Sequence, residues 1–263
     1  MPELPEVETI VRGLRPLVGS RIRRAEILDP RIRVAADRLA GETLESVERR
    51  GKHIVFRVSG DWSLIIHLRM SGRLLLSCAE EELPHVRFRL HLDRGVVSFV
   101  NPRRLGTVDL LRGPFDRRLG IDPLSEEFTP EALHDLLRGT KRPIKLALTD
   151  QRRIAGLGNI YAAEALWRAG IAPRRPGNRI ARKRIDALHR EIVDLLEEAI
   201  RHSGTSFGVS VADYRDPGGN DGEFGEMLAV YGREGRTCRR CGAAIARTVQ
   251  ASRSTYWCPK CQH

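Results

Sequence analysis

Apolar residues at the start of the chain recur at helical spacing. Leu4, Val7, Ile10, Val11 and Leu14 share one face, so an amphipathic helix is expected from about residue 3 to 18. Beyond it the period shortens. Runs rich in β-branched and other apolar residues occupy 21–28, 53–58, 64–68, 73–76, 86–92, 96–100 and 107–111. In one of them Phe88, Leu90 and Leu92 alternate with Arg87, Arg89 and His91, giving an apolar face and a basic face. That is the pattern of a half-buried antiparallel strand, and its repetition predicts a two-sheet β-sandwich.

Between 116 and 129 the helical period returns. Thr129, Pro130 and Glu131 supply an N-cap, a first-turn proline and an acidic first turn ahead of 132–138, which sets a domain boundary near 115–128. Further helices are expected at 144–150, 160–169 and 179–202, the last with Ile185, Leu188, Ile192, Leu195, Leu196 and Ala199 on one face. The stretch 204–224 is rich in Gly, Ser, Asp and Pro and reads as a mobile loop. The fold class is therefore α+β, in three parts: a β-sandwich domain over 1–120, a helical domain over 121–225, and a four-cysteine finger over 226–263.

Composition adds a partner. With 45 Lys and Arg against 34 Asp and Glu, the chain carries +11, a balance suited to a polyanion whose counterions are released on binding. Solubility charge or arginine-rich codon usage would give the same excess. No stretch approaches the ~20 apolar residues of a membrane span, and the acidic N-terminus is unlike a signal peptide, so a soluble cytoplasmic chain is expected. Four of the five cysteines form the pattern Cys238-x2-Cys241-x16-Cys258-x2-Cys261, the spacing of a four-thiolate zinc site. Four thiolates leave no open position, so one structural zinc and no soluble cofactor are expected. Around them, residues 231–263 hold seven basic side chains against the single acid Glu234, which suits contact with phosphates.

Two further signals carry chemistry. Removing Met1 would expose Pro2 as a secondary amine beside Glu3 and Glu6. An α-amine titrates near pH ~8, so part of it is neutral and nucleophilic at physiological pH. A proline and two acids also suit the start of any helix. In the second signal, 152–161, Gly156 and Gly158 precede Asn159 at a helix start, where amides can face an anion; a plain helix cap is the alternative.

Taken in order, PELPEVET at 2–9, GKH at 51–53, HLRMSG at 67–72, NPRR at 101–104, GLGNIYAAEALW at 156–167, VYGREG at 230–235 and the two CxxC pairs resemble the bacterial formamidopyrimidine-DNA glycosylases over essentially the whole chain. The resemblance implies a bifunctional base-excision repair enzyme. It would act as a monomer on double-stranded DNA containing oxidised purines, held in a basic cleft, with a helix-two-turns-helix element and a zinc-ribbon hairpin. Pro2 would attack C1′ and form an iminium; Glu3 would move protons at the deoxyribose, and Glu6 would order the N-terminus. Lys52, Asn159 and Arg253 would bind phosphates near the lesion, and Lys145 would lie near the damaged base. Met70 and Arg103 match two of the family's three void-filling residues, Arg103 facing the orphaned cytosine. The third is ordinarily aromatic, and this chain has Leu105. Core packing is the other reading of Met70 and Leu105. An endonuclease VIII-like enzyme for oxidised pyrimidines and a non-catalytic zinc-ribbon protein binding nucleic acid remain alternatives.

Overall fold

The computed structural model describes residues 1–115, 118–207 and 214–263. These divide into two compact units: Met1–Arg117 with Ile200–Gly225, and Arg118–Ala199 with Glu226–His263. The first break falls between residues 117 and 118. The expected second part differs, because 200–225 groups with the N-terminal unit instead of the helices before it. Backbone bonds explain this: Thr205 donates to Glu6 at 2.8 Å, and Leu76 donates to the carbonyl of Pro217 at 2.8 Å. Of the loop expected at 204–224, residues 208–213 lie outside the described residues.

The first unit opens with helix α1, Leu4–Leu14. Glu3 and Glu6 form a reciprocal capping box at its start, and Pro16, with no N–H to offer, ends the regular helix in a short 3-10 turn. Eight strands follow among the described residues: β1 (Ile22–Ile27), β2 (Leu44–Arg50), β3 (His53–Val58), β4 (Trp62–His67), β5 (Arg73–Ser77), β6 (Val86–Leu92), β7 (Gly95–Val100) and β8 (Thr107–Arg112). They make two antiparallel four-stranded sheets, ordered β1-β6-β7-β5 and β2-β3-β4-β8, as the alternating pattern predicts. Val7, Ile10, Val11 and Leu14 of α1 join Phe56, Ile66, Phe88 and Phe99 in one buried core. At roughly 1.5–3 kcal/mol for each buried aliphatic or aromatic side chain, this shared core fixes α1 against the sandwich.

Strand β2 carries no period-two signal. In LESVERR the apolar positions Leu44 and Val47 are three apart, a helical spacing, and the rest is charged or polar. A register shift between Leu44 and Ser46 resolves the conflict, since one bulged residue lets both apolar side chains be buried.

The second unit holds α2 (Pro130–Arg138), α3 (Ile144–Leu148), α4 (Asn159–Arg168) and most of α5 (Arg182–Arg201), followed by the hairpin β9 (Ala246–Gln250) and β10 (Arg253–Trp257). Thr129 caps α2 through its side chain, accepting from Ala132 at 3.1 Å, as the sequence pattern requires. The apolar face expected on α5 is buried throughout. Ala163 of α4 packs with Val230, Cys238, Ile245 and Cys258, joining the cysteine module to the helices.

Candidate active site and nucleic-acid interface

In the first unit the chemistry gathers at the start of α1. Pro2 and Glu3 are buried there, and Met1 above them is exposed. Glu6 divides its carboxylate: Oε2 accepts from the backbone N–H of Glu3 at 2.7 Å, and Oε1 accepts from that of Thr205 at 2.8 Å. Gly204 has φ +80°, and a Cβ there would lie 2.9 Å from Glu6, so only glycine brings the 204–205 backbone this close. Tyr214 packs into the α1 core; burial first, then the charge of Glu6, raises its phenol well above the ordinary range and keeps it protonated. Two residues further along the helix, Glu8 is also buried. Burial alone would raise its carboxyl, but hydrogen bonds from Arg12 and Arg49 at 2.9 and 3.0 Å hold it below its ordinary value.

Lys52 lies buried in the turn between β2 and β3, where Gly51 takes φ 59°. Next to it His53 meets His67 edge to face, ring centroids 4.6 Å apart. Met70 and Leu105 are 46% and 52% exposed, so the core-packing reading fails for both. Met70 sits on the β4–β5 loop, and Arg103 and Leu105 sit on the β7–β8 turn. Ser71 and Asn101 tie the two loops together through a bond of 3.5 Å.

In the second unit a different set converges. Gly158 caps α4, and Gln151 braces the turn before it, accepting from Gly156 at 2.9 Å and donating to the carbonyl of Leu157 at 2.7 Å. This puts Asn159 at the first turn of α4, where its Nδ2 donates to the carbonyl of Ser254 at 3.0 Å and lies 3.5 Å from the hydroxyl of Tyr231. Arg253 begins β10 beside them, exposed, after a turn in which Ala251 and Ser252 both have positive φ (47° and 61°). Lys145 reaches the same strand from α3. Its ammonium is fully buried and donates to Ser254 O at 3.1 Å and Thr255 Oγ1 at 2.6 Å. The resemblance sets this lysine near a damaged base; in this structure two of its hydrogen bonds go to the hairpin.

Glu164, one turn further along α4, carries a role that the motifs do not signal. Its buried carboxylate accepts from three successive amides, Ala229 at 2.8 Å, Val230 at 2.9 Å and Tyr231 at 2.7 Å. Burial raises this carboxyl above its ordinary value against the pull of those amides. A lone acid inside the apolar run NIYAAEALW is the sequence signal that could have found it.

The four cysteines come together as their spacing predicts, all sulfurs within 4.8 Å of one another. Cys238 and Cys261 are 3.9 Å apart and Cys241 and Cys258 3.5 Å apart. A tetrahedron of ~2.3 Å Zn–S bonds has edges of about 3.8 Å, so the cage fits one zinc. The thiols already differ in acidity. Burial opposes ionisation of Cys238, but the amides of Arg240 and Cys241 bring it down to about 6, whereas burial and the neighbouring sulfurs push Cys261 up to about 12. A divalent cation is what lets all four be thiolates together.

Three family models match in succession: the formamidopyrimidine-DNA glycosylase N-terminal domain over 1–108, its H2TH domain over 119–210, and a zinc finger found in FPG and IleRS over 235–263. This chain belongs to the formamidopyrimidine-DNA glycosylase family. A formamidopyrimidine-DNA glycosylase of Chloroflexus aggregans is 44% identical over 100% of this chain and 98% of its own length. That of Gluconobacter oxydans is 43% identical with both chains covered in full. Among solved structures, the MutM (Fpg) protein of Thermus thermophilus is 40% identical with a TM-score of 0.91, covering 99% of this chain and 98% of that one. The Lactococcus lactis Fpg in complex with DNA containing an abasic site is 33% identical with a TM-score of 0.89, covering 99% of each chain. A mutant of that protein bound to Fapy-dG DNA is 34% identical with a TM-score of 0.90, covering 100% of each. The sandwich, the helical region and the zinc hairpin of this chain are thus the family fold. Among the described residues no helix is long and apolar enough to cross a membrane.

Proposed function

We propose that this chain excises oxidised purines, 8-oxoguanine and formamidopyrimidines, from duplex DNA and then cleaves the strand at the resulting abasic site. The observation that carries this reading is the start of α1, where Pro2 and Glu3 are buried and Glu6 ties the helix start to the 204–205 backbone. Once Met1 is removed, the Pro2 nitrogen is a secondary amine whose lone pair attacks C1′. The bond from C1′ to the base breaks, the base leaves with the electron pair, and opening of the sugar gives an iminium. Glu3 gives and takes the protons at the deoxyribose, a role worth ~10²-fold or more. Loss of the C2′ proton then expels the 3′ phosphate, and a second elimination expels the 5′ phosphate, leaving a one-nucleotide gap.

The damaged nucleotide must leave the stack to reach this amine, at a cost of a few kcal/mol. The exposed Met70 and Leu105, on loops tied to each other, suit filling the space it vacates, and the exposed Arg103 suits reading the orphaned cytosine. Lys52, Asn159 and Arg253 are read as phosphate ligands, and Lys145 as the residue that fixes the hairpin on which Arg253 stands. Zinc holds the cysteine module in shape. The place of work is the cytoplasm, on the nucleoid.

Borohydride reduction during turnover of 8-oxoguanine DNA tests the reading directly. A covalent adduct mapping to Pro2, absent in Pro2→Gly, is expected. An adduct at a lysine with Pro2→Gly fully active would refute it, and faster release of thymine glycol than of 8-oxoguanine opposite cytosine would move the enzyme to the oxidised-pyrimidine class.

A further inference from the structure

Between Arg103 and Leu105 stands Arg104, which holds a left-handed backbone, φ 54°. That conformation is uncommon and unfavourable for a residue with a long side chain, so it persists only where the surroundings impose it. The side chain of Arg104 leaves the turn and meets Asp29, on the segment that follows β1. Its Nε lies 3.3 Å from Asp29 Oδ2, and the carboxylate is 3% exposed. Arg87 of β6 approaches the same oxygen at 3.8 Å and donates from Nε to the carbonyl of Asn101 at 3.1 Å.

Asp29 is itself fixed. Its Oδ1 accepts from the backbone of Arg31 at 3.1 Å, and its carbonyl accepts from Ile32 at 3.0 Å, a closed Asx turn that leaves Oδ2 for the two arginines. One buried acid therefore grips the β7–β8 turn twice, through Arg104 at its crown and through Arg87 at its base. The far end of the turn has no slack, since a Cβ on Gly106 would lie 2.7 Å from the Phe99 ring. Arg103 and Leu105 flank the gripped residue and are both exposed.

We propose that Asp29 is a positioning residue for reading the strand opposite the lesion: by holding Arg104 it fixes how Arg103 and Leu105 are presented to the duplex. This rests on the assignment of Arg103 to the orphaned cytosine. Asp29 touches no DNA in this scheme, and its charge acts through the shape of the turn. Removing the charge at constant size frees Arg104, and the turn relaxes from its left-handed conformation. Discrimination between opposite bases falls first, because it depends on the placement of one guanidinium.

The test is single-turnover excision of 8-oxoguanine opposite cytosine and opposite adenine by the zinc-loaded full-length chain, with cleavage of a single-stranded abasic oligonucleotide as the internal reference. Asp29→Asn and Arg104→Gln should each lower the cytosine-over-adenine ratio about threefold to tenfold. The double variant should fall no further than either single one, since both break the same contact. Each should lose much more on duplex than on the single-stranded reference. If Asp29→Asn folds poorly, Arg104→Gln still breaks the contact while leaving Asp29 paired with Arg87, and the same ratio decides. Arg103→Ala separates the two layers of the argument. If it abolishes the ratio while Asp29→Asn and Arg104→Gln keep it, the proposal is overturned and the assignment of Arg103 stands. If Arg103→Ala itself keeps the ratio, that assignment falls and the proposal falls with it. Equal losses on duplex and single strand would show general damage to the fold and also overturn the proposal.

Discussion

Replacing Glu164 should loosen the corner of the second unit where Asn159 and Tyr231 meet. The magnitude follows from how its two oxygens are used: Oε1 accepts from Val230 and Tyr231, and Oε2 accepts from Ala229. Glu164→Ala strips the acceptor from all three. Ala229 and Val230 are buried, and a buried donor left without a partner costs ~1–3 kcal/mol, whereas Tyr231 is half-buried and can turn to water. Two orphaned donors give about 2–6 kcal/mol, and relief from holding a charge in a dry site offsets part of it, leaving about 2–4 kcal/mol. Glu164→Gln keeps the shape. Its carbonyl can stand in the place of Oε1 and hold two of the three amides, while its NH2 faces the N–H of Ala229, donor against donor, for a loss of about 1–2 kcal/mol.

A chain of two units need not unfold in one step, so the measurement should be local. Native-state amide exchange at 229–231 reports the opening free energy of this segment alone. Protection there should fall by about 2–4 kcal/mol in Glu164→Ala and by about half that in Glu164→Gln, with the amides of β6 and β7 unmoved. Affinity for an abasic-site duplex should weaken about tenfold in the alanine variant as Tyr231 loses its anchor. The reasoning is refuted if alanine changes protection at 229–231 by less than about 0.5 kcal/mol, or if glutamine does as much harm as alanine.

Leu105 should act as an apolar wedge without the stacking face that an aromatic offers, an interaction worth ~1–3 kcal/mol per base. Leu105→Phe should tighten binding to lesion duplex and Leu105→Ala weaken it, with cleavage of a single-stranded abasic site barely altered; equal defects on both substrates would reject the wedge. Metal analysis should find one zinc per chain, lost in Cys258→Ser together with DNA affinity, while the sandwich keeps its far-ultraviolet dichroism; full affinity without zinc would show the module to be dispensable. Glu8 is held below its ordinary value by Arg12 and Arg49, so its contribution is complete above the unfolded carboxylate range, near pH ~4.3, and is lost as pH falls through the lower folded value. Glu8→Gln should therefore destabilise the protein at pH 7 by about 1 kcal/mol, with the gap narrowing as pH falls below ~4.3; a gap that does not narrow on acidification would refute the ion pairing.

What was legible in the chain was local or periodic. The cysteine pairs read correctly because each CxxC turn brings two sulfurs together within four residues, and α5 read correctly because its apolar stripe repeats over about four turns. Strand β2 did not, since its apolar spacing becomes strand-like only after a bulge that the partner strand imposes. Residues 200–225 were set with the helices before them because helix α5 runs into them without a break. Their allegiance to α1 depends on bonds such as Thr205 to Glu6, far apart in sequence. Glu164 and Asp29 were missed for a common reason. A buried acid is written in the sequence like an exposed one, and only the donors that surround it reveal its work.

The divided carboxylate of Glu6 has a kinetic consequence. One oxygen steadies the helix start that carries the nucleophile, and the other takes the amide of Thr205. Linkage is reciprocal, so whatever disturbs the Thr205 amide also disturbs the helix start. On the proposed chemistry, a duplex that pulls on the 204–205 backbone would lower the chance that the amine is aligned, even while fully bound. Such a duplex would then be refused in the rate of the bond-breaking step and scarcely in the dissociation constant. An enzyme working this way would hold such DNA about as firmly as its substrate and simply leave it intact.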